Sequence, residues 1–387
     1  MPDGGPGSEM AAGAVGFDVP AHVGQRVDEI ATPALIVDLD AFDANVAAMG
    51  RFVEDAGVRL RAHAKTHKSA DIARIQMARG GAVGVCCQKV SEAEALVRAG
   101  IDDVLVTNQV TAPAMMQRLA GIARGAKIGV CIDDASTVGP LSEAAVAGGV
   151  TLDCLVEIDV GAGRCGVPPG AGAVPLAKAI DSAPGLRFAG LQAYNGRAQH
   201  IRAFTDRSAV LDRVVSETHA TVAALAKAGL ACETVGGAGT GSFGFEAASG
   251  VFNELQCGSY VFMDVDYGRI EDEHGAPVSM FRNALFILTG IMSVAKPGQA
   301  VCDAGLKVQS VDSGLPVIFG RDDITYAKCS DEHGVIADPN DTLRLNDRLL
   351  LVPGHCDPTC NSHDWYVGVR GDRVECLWPV TARGKHY

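Results

Sequence analysis

From residue 33 onward, short runs rich in β-branched residues alternate with alanine-rich stretches whose apolar residues recur at helical spacing. Eight runs fit strands: "PALIVDL" (33–39), "VRLRAHAK" (58–65), "AVGVCCQ" (82–88), "DVLVTNQ" (103–109), "KIGVCIDD" (127–134), "LDCLVEIDV" (152–160), "RFAGLQAYN" (187–195) and "CETVGGAGT" (232–240). Segments such as "SEAEALVRAG" separate them, with Ser91 placed to cap a helix and Gly100 to end it. Eight units of this period predict a (β/α)8 barrel over 26–270. The competing layout is an open doubly wound sheet, which would put a ligand at one switch point instead of around a ring.

Polar and small residues gather where these strands end: Lys65, Gln88, Asn108, Asp133, Asp159, Tyr194 and the run Gly236 to Gly241. In a barrel the carboxyl edge carries the chemistry. After residue 270 the rhythm changes to short strands and turns, "NALFILTGIMSVA", "DRLLLVPGH" and "WYVGVRGDRVECLWPV", with Gly371-Asp372 reading as a hairpin turn. A β-rich domain is therefore expected over 271–387. The first 25 residues, rich in Gly, Ala and Pro, are expected to be a mobile lead-in.

A chain of 387 residues with 48% hydrophobic content can bury a large core. Its formal charge of −13 argues against a nucleic-acid partner, which selects a basic face. The apolar runs are too short to span a bilayer, and the start lacks a basic region followed by an apolar core, so a cytoplasmic protein with no membrane partner is expected. Twelve scattered cysteines are expected to be reduced thiols.

Three constellations suggest chemistry. The first is "RAHAKTHKS", Arg61 to Ser69, three cationic side chains and two histidines in nine residues of an acidic protein. A lysine at the end of a buried strand is costly unless paired, neutralised or used, and neighbouring cations with desolvation would free its amine as a nucleophile toward a carbonyl. The alternative is a solvated loop with surface cations. The second is "VGGAGTGSFGF", Val235 to Phe245, whose backbone N–H groups and Thr240 and Ser242 hydroxyls suit a phosphate. The third is "PGHCDPTCNSHDWY", Pro353 to Tyr366. On an extended chain His355 and Asp357 would point to one side and share a hard ion. Cys356 and Cys360 with His355 could instead bind zinc, or the cluster could be a polar turn without metal. Arg164 on a glycine-rich loop could hold a carboxylate, and Tyr194 and His200 could stack on a ligand or shuttle protons. Asp264, Asp266 and Asp303 are weaker acid–base candidates.

Together, "TPALIVDLDAFDANV", "RAHAKTHKS", "EIDVGAGRCGV", "LQAYNGRAQH", "QCGSYVFMD", "DAGLKVQSVDSG" and "PGHCDPTCN" resemble the D-threonine aldolase and D-serine dehydratase family of fold-type III pyridoxal-phosphate enzymes, which includes 3-hydroxyaspartate dehydratases and β-hydroxyaspartate aldolases. The resemblance runs from about residue 30 to the end of the chain. It implies an alanine-racemase-type barrel followed by a β-rich domain, and pyridoxal 5'-phosphate held covalently by Lys65. Arg164, Tyr194, Gly239, Thr240, Gly241, Ser242 and Tyr260 are its implied cofactor contacts. It further implies a divalent ion on His355 and Asp357, Mg²⁺ or Mn²⁺ in preference to zinc, beside the substrate's β-hydroxyl. Members of the dehydratase branch carry a cysteine two residues after the histidine, where this chain has Asp357, which favours the aldolase branch.

The implied activity is a retro-aldol cleavage of a D-type β-hydroxy-α-amino acid in a homodimeric enzyme. Lys65 and His200 are the candidate bases. Arg197, three residues after Tyr194, could bind a side-chain carboxylate, which points to 3-hydroxyaspartate giving glycine and glyoxylate. D-threonine cleavage, a dehydration giving keto acid and ammonia, and a non-catalytic cofactor-binding protein are the alternatives. Arg61, His63, His67 and Lys68 are expected to tune Lys65 or contact the cofactor.

Overall fold

The computed structural model describes residues 13–387. The chain divides into two compact units. One runs to Asp43 and resumes over Asn283–Val380; the other comprises Ala44–Arg282 and Thr381–Tyr387.

Seventeen strands carry the chain order among the described residues. Strand β1 is Ala34–Asp38. Then come β2 (Arg59–His63), β3 (Ala82–Cys87), β4 (Asp103–Gln109), β5 (Lys127–Ile132), β6 (Leu152–Glu157), β7 (Leu186–Ala193), β8 (Thr234–Gly237) and β9 (Glu254–Leu255). Strands β2 to β9 close into a barrel in sequence order, every neighbour parallel, with Arg59 beside Glu254 at the seam. Short helices such as Ala70–Arg79 and Val90–Arg98 and a long one, Phe204–Lys227, return the chain between strands. Their apolar faces pack on the outer residues of the strands, as with Leu96 and Leu119 beside Val85 and Val104 in one buried cluster.

The expected eight-stranded barrel is present, but its membership needs correction. The run 33–39 does not open it. Strand β1 pairs antiparallel with β10 (Leu285–Lys296) and parallel with β16 (Trp365–Arg370), so residues 26–43 belong with the sheet unit and not with the barrel. Four of the five β1 residues are buried, and a central strand of a mixed sheet has the same apolar sequence as a barrel strand. The barrel is completed instead by β9, two residues long. Lys65 therefore follows the first barrel strand, and the glycine run follows the seventh.

At the amino mouth of the barrel the interior is ringed with ion pairs. Arg59 and Arg61 both reach Glu254, Arg61 also reaches Asp103, and Arg187 joins Asp153 to Glu233. Above them lies an apolar layer of Cys86, Leu105, Cys131, Leu155 and Ala189. The barrel is thus filled from below, and its chemistry is confined to the carboxyl edge.

The second unit is a nine-stranded sheet. Its further strands are β11 (Gln299–Cys302), β12 (Val317–Ile318), β13 (Thr325–Cys329), β14 (Gly334–Ala337), β15 (Arg348–Val352) and β17 (Arg373–Pro379). The main path runs β13-β14-β11-β10-β1-β16-β17, and β15 pairs with both β10 and β12. The expected hairpin at Gly371-Asp372 joins β16 to β17, with Gly371 at a φ of 58°.

Of the expected lead-in, residues 1–12 lie outside the described residues. The remainder is tied to the sheet, not loose: Gly24 N–H donates to Val374 O at 2.8 Å, and the Trp365 indole donates to Asp18 O at 3.1 Å. Ser91 does not cap its helix. That helix starts at Val90, and the Glu92 carboxylate accepts from the Gln88 and Lys89 N–H groups. Among the described residues no helix is long and apolar enough to cross a membrane, and all twelve cysteines are thiols.

Candidate active site

Lys65 stands in a turn directly after β2. From Arg61 to Ala70 every residue is buried except Lys65, which is half-buried. A solvated surface loop is therefore ruled out for this stretch. Its other charged groups are engaged elsewhere: Arg61 faces the amino-mouth carboxylates, and Lys68, at a φ of 52°, places Nζ 2.8 Å from buried Glu92. Arg61 and Lys68, expected to tune Lys65 or contact the cofactor, are thus each paired with a carboxylate.

His67 is likewise structural. Its Nδ1 accepts from Ser69 N–H at 3.1 Å, which places the ring proton on Nε2 toward Gln76 Oε1 at 3.1 Å. Gln76 then donates to the Tyr260 hydroxyl at 3.0 Å. Tyr260 is fully buried, and burial pushes its phenol well above the usual range, so it stays neutral and can donate a proton. His63 Nε2 lies 3.1 Å from both Thr107 Oγ1 and Gln88 Nε2.

The turn after β8 is held by one side chain from the segment after β7. Gln199 Oε1 accepts from Gly241 N–H at 2.9 Å, and Gln199 Nε2 donates to Ser242 Oγ at 2.8 Å. A Cβ on Gly239 would lie 2.5 Å from Gln199 Oε1, so the close approach requires glycine there. Ser242 Oγ also accepts from Gly239 N–H and donates to Glu246 Oε1 at 2.9 Å. Its hydroxyl is committed behind the turn. Glu246 is fully buried, and burial lifts its carboxyl to about 7 despite that bond from Ser242.

A bound phosphate ester needs donors that no protein group already uses. Among the described residues the hydroxyls of Thr240, Thr66 and Ser69 are buried and have no hydrogen-bond partner. Such orphans cost about 1–3 kcal/mol each unless a ligand satisfies them. Thr66 Oγ1 lies against Gly258, where an added Cβ would approach it to 2.4 Å. The residues present thus fit an anionic, oxygen-rich cofactor, with Thr240 and not Ser242 as the available hydroxyl of the turn.

On the loop after β6, Arg164 lies over the Tyr194 ring at 5.9 Å and 3.7 Å from Glu157. Burial raises the Glu157 carboxyl, and hydrogen bonds from Gln109 and Arg164 offset this only in part. Asp159 and Asp133 hold the loop's backbone through Gly161, Gly163 and Gly166 N–H groups, each at 3.0 Å. The Arg197 guanidinium rests against the same loop, 3.4 Å from where a Cβ on Gly163 would be. Among the described residues it makes no ion pair.

His200 Nδ1 is 2.7 Å from Asp266 Oδ2, and Arg202 binds the other oxygen of that carboxylate. Burial would raise Asp266, but the bonds from Arg202 and His200 hold it below the usual carboxylate range. Sequence reasoning named Asp266 only as a weak acid–base candidate and gave no role to Gln76, Gln199, Glu246 or Asp312. Gln199 and Asp312 lie inside the quoted motifs, but their pairings join segments tens of residues apart.

In the sheet unit, His355 is extended (φ −145°, ψ 122°) and caps a short helix, Cys356–Cys360. Asp357 therefore sits in the first helical turn, and the extended-chain reason for placing it beside His355 does not hold. A carboxylate supplied from outside the motif orients the imidazole instead: His355 Nδ1 is 2.8 Å from Asp312 Oδ2. Burial would raise Asp312, yet hydrogen bonds from Ser310 and His355 keep it low and ionised. Ionised, it can only accept, so Nδ1 donates, and in the neutral imidazole the lone pair is then on Nε2, the arrangement of a metal-ligating histidine. His363 is turned away, donating Nε2–H to Val308 O at 2.8 Å. Among the described residues no group of three or more His, Cys, Asp or Glu is placed to hold a metal, so an ion here would rest on two protein donors. That donor number suits a hard ion keeping several waters better than a closed structural zinc site.

A closed parallel barrel with a half-buried lysine at its carboxyl edge and an unsatisfied hydroxyl on a glycine turn defines a class, the barrel enzymes built around a phosphate-bearing cofactor. Residues 37–266 match the family model described as alanine racemase, N-terminal domain, and residues 284–369 match the putative serine dehydratase domain. The chain is 56% identical over 376 residues to 3-hydroxy-D-aspartate aldolase of Paracoccus denitrificans (strain Pd 1222), covering 96% of this chain and 97% of that one. It is 45% identical over 367 residues to D-threonine aldolase of an Arthrobacter species, covering 94% and 96%. The crystal structure of D-threonine aldolase from Filomicrobium marinum superimposes with a TM-score of 0.93 at 50% identity, over 95% of this chain and 100% of that one. The protein belongs to the D-threonine aldolase-like family of fold-type III pyridoxal-phosphate proteins.

Proposed function

We propose that the protein is a pyridoxal-phosphate- and divalent-metal-dependent carbon–carbon lyase that cleaves D-configured 3-hydroxyaspartate to glycine and glyoxylate. The observation that carries the reading is Lys65, the one half-buried residue of an otherwise buried decapeptide at the barrel's carboxyl edge, in a chain more than half identical to a 3-hydroxy-D-aspartate aldolase. Bound at Lys65, pyridoxal phosphate supplies an electron sink for the bond broken at Cα.

The chain's own residues account for the rest. Thr240 holds a phosphate oxygen, Gln199 and Ser242, which take the Gly241 and Gly239 N–H groups, keep that turn in shape, and Arg164, Tyr194 and Tyr260 bind and orient the ring. His200 Nε2 accepts the β-hydroxyl proton, which is the group whose deprotonation drives retro-aldol cleavage. Arg197, which makes no ion pair among the described residues, binds the side-chain carboxylate. His355 and Asp357 hold Mg²⁺ or Mn²⁺, with Asp312 orienting the imidazole. The enzyme is assigned to the cytoplasm as a homodimer acting on a small amino acid.

Incubation of the purified protein with D-3-hydroxyaspartate and Mn²⁺ tests the reading, with glycine and glyoxylate as the expected products. Ammonia and keto acid without glycine would replace cleavage by dehydration. D-threonine, giving glycine and acetaldehyde, is the second reading, favoured by the resemblance to two D-threonine aldolases.

A further inference from the structure

We propose that Asp266 is a positioning residue that fixes the proton of His200 on Nδ1, and that Arg202 fixes Asp266 in turn. This rests on the reading of His200 as the proton acceptor and adds the device that would make it one.

Asp266 is 4% exposed and stands at the start of a short helical turn, Tyr267–Arg269. Arg202 grips it twice, donating to its carbonyl at 2.7 Å and to Oδ1, which leaves Oδ2 for His200 Nδ1. The segment carrying Arg202 is itself anchored. Buried Arg207 donates to Ile201 O and Arg202 O at 2.9 Å and to Glu271 O at 2.7 Å, while Glu271 N–H donates to Arg202 O at 3.0 Å. The two strands of chain, 200–207 and 264–271, are therefore locked in register, and the carboxylate cannot turn away from the imidazole.

The chemistry follows from which groups can donate. An ionised carboxylate only accepts, so Nδ1 must carry the hydrogen, and a neutral imidazole then has its lone pair on Nε2. Asp266 is held ionised by Arg202 and His200. A guanidinium only donates, so in the variant Asp266→Asn the amide oxygen must face Arg202 and the amide NH₂ must face His200. Nδ1 is then forced to accept, the ring proton moves to Nε2, and the base is blocked although the shape of the site is kept.

The test uses the cofactor-loaded enzyme at about pH 8.5, where an ordinary imidazole is neutral, with ¹⁵N spectra of its histidines and His200→Gln to assign the His200 signals. Wild type should show Nδ1–H with an unprotonated Nε2; an Nε2–H signal would overturn the proposal without any variant. Asp266→Asn should reverse the pattern and lower kcat by roughly 10²- to 10⁴-fold, with KM and the cofactor's visible absorbance unchanged. Replacing Arg202 as well, Arg202→Met with Asp266→Asn, lets the amide turn its oxygen to His200, and kcat should recover about ten-fold over the single variant. A merely structural Asp266 predicts that the double variant is worse than the single, and that result would refute the positioning role. Retention of full kcat by His200→Gln, with the reversed tautomer still seen in Asp266→Asn, would sink the base reading while leaving the tautomer control in place.

Discussion

Gln199 clamps the turn that ends in Ser242: the same amide that donates to Ser242 Oγ accepts from Gly241 N–H. One side chain thus sets the spacing of the backbone that would meet a phosphate, while the Ser242 hydroxyl is spent on Glu246.

Gln199→Ala removes both bonds, worth about 1 kcal/mol each. Cofactor affinity should fall at least about ten-fold, read by titrating apoenzyme with pyridoxal phosphate and following visible absorbance. Ser242→Ala should act in the same direction, through the turn and not through a lost phosphate contact.

Lys65→Ala should abolish turnover and the absorbance of covalently held cofactor, while the fold persists because Arg61 and Lys68 keep their carboxylate partners. A variant that retains the covalent absorbance would remove Lys65 from its role.

Glu246 gives a pH dependence. Its folded value of about 7 exceeds the ordinary 4.5, so the folded chain binds the proton more tightly than the unfolded one. The resulting stability is fully present below about pH 4.5 and is lost as pH rises through about 7, a swing on the order of 3 kcal/mol. Thermal midpoints should fall between about pH 4.5 and pH 7 in wild type and stay nearly level in Glu246→Gln.

Gly354→Ala tests the histidine of the sheet unit. A Cβ there would lie 2.0 Å from Gly314 O, in the turn that brings Asp312 to His355. The cost should be about 1–3 kcal/mol, and Mn²⁺ affinity, measured by calorimetry, should weaken as the imidazole loses its orienting carboxylate.

Arg197→Met should lower kcat/KM for 3-hydroxyaspartate by roughly 10- to 100-fold, the value of a charge-assisted pair, and leave D-threonine cleavage nearly unchanged. Equal losses on both substrates would remove Arg197 from carboxylate recognition.

The barrel was legible because each strand and helix is a local pattern. What was not legible was membership. "PALIVDL" has the composition of any strand buried on both faces, and only its partners, Leu288 to Leu285 on one side and Tyr366 to Val369 on the other, assign it to the second sheet. Strand β9 was invisible for the opposite reason, since two residues carry no period. In the site, Lys65 and the glycine turn stood out through residue type. The groups that orient them did not: Gln199 reaches Ser242 across 43 positions, Asp266 reaches His200 across 66 and Asp312 reaches His355 across 43. At His355 the motif was visible, but a helix begins where an extended chain was assumed.

The placement of β1 also sets an order of events during synthesis. Leu35 must wait for Tyr366, more than three hundred residues later, before its parallel partner exists. Every strand from β2 to β9 has both neighbours by Leu255, so the barrel can close on a growing chain while β1 still lacks its partners. The sheet that presents His355 is therefore completed last, by a pairing with high loop-closure cost. Cutting the chain between the two matched domains would leave the sheet incomplete, because the fragment holding the barrel would carry away a central strand of it.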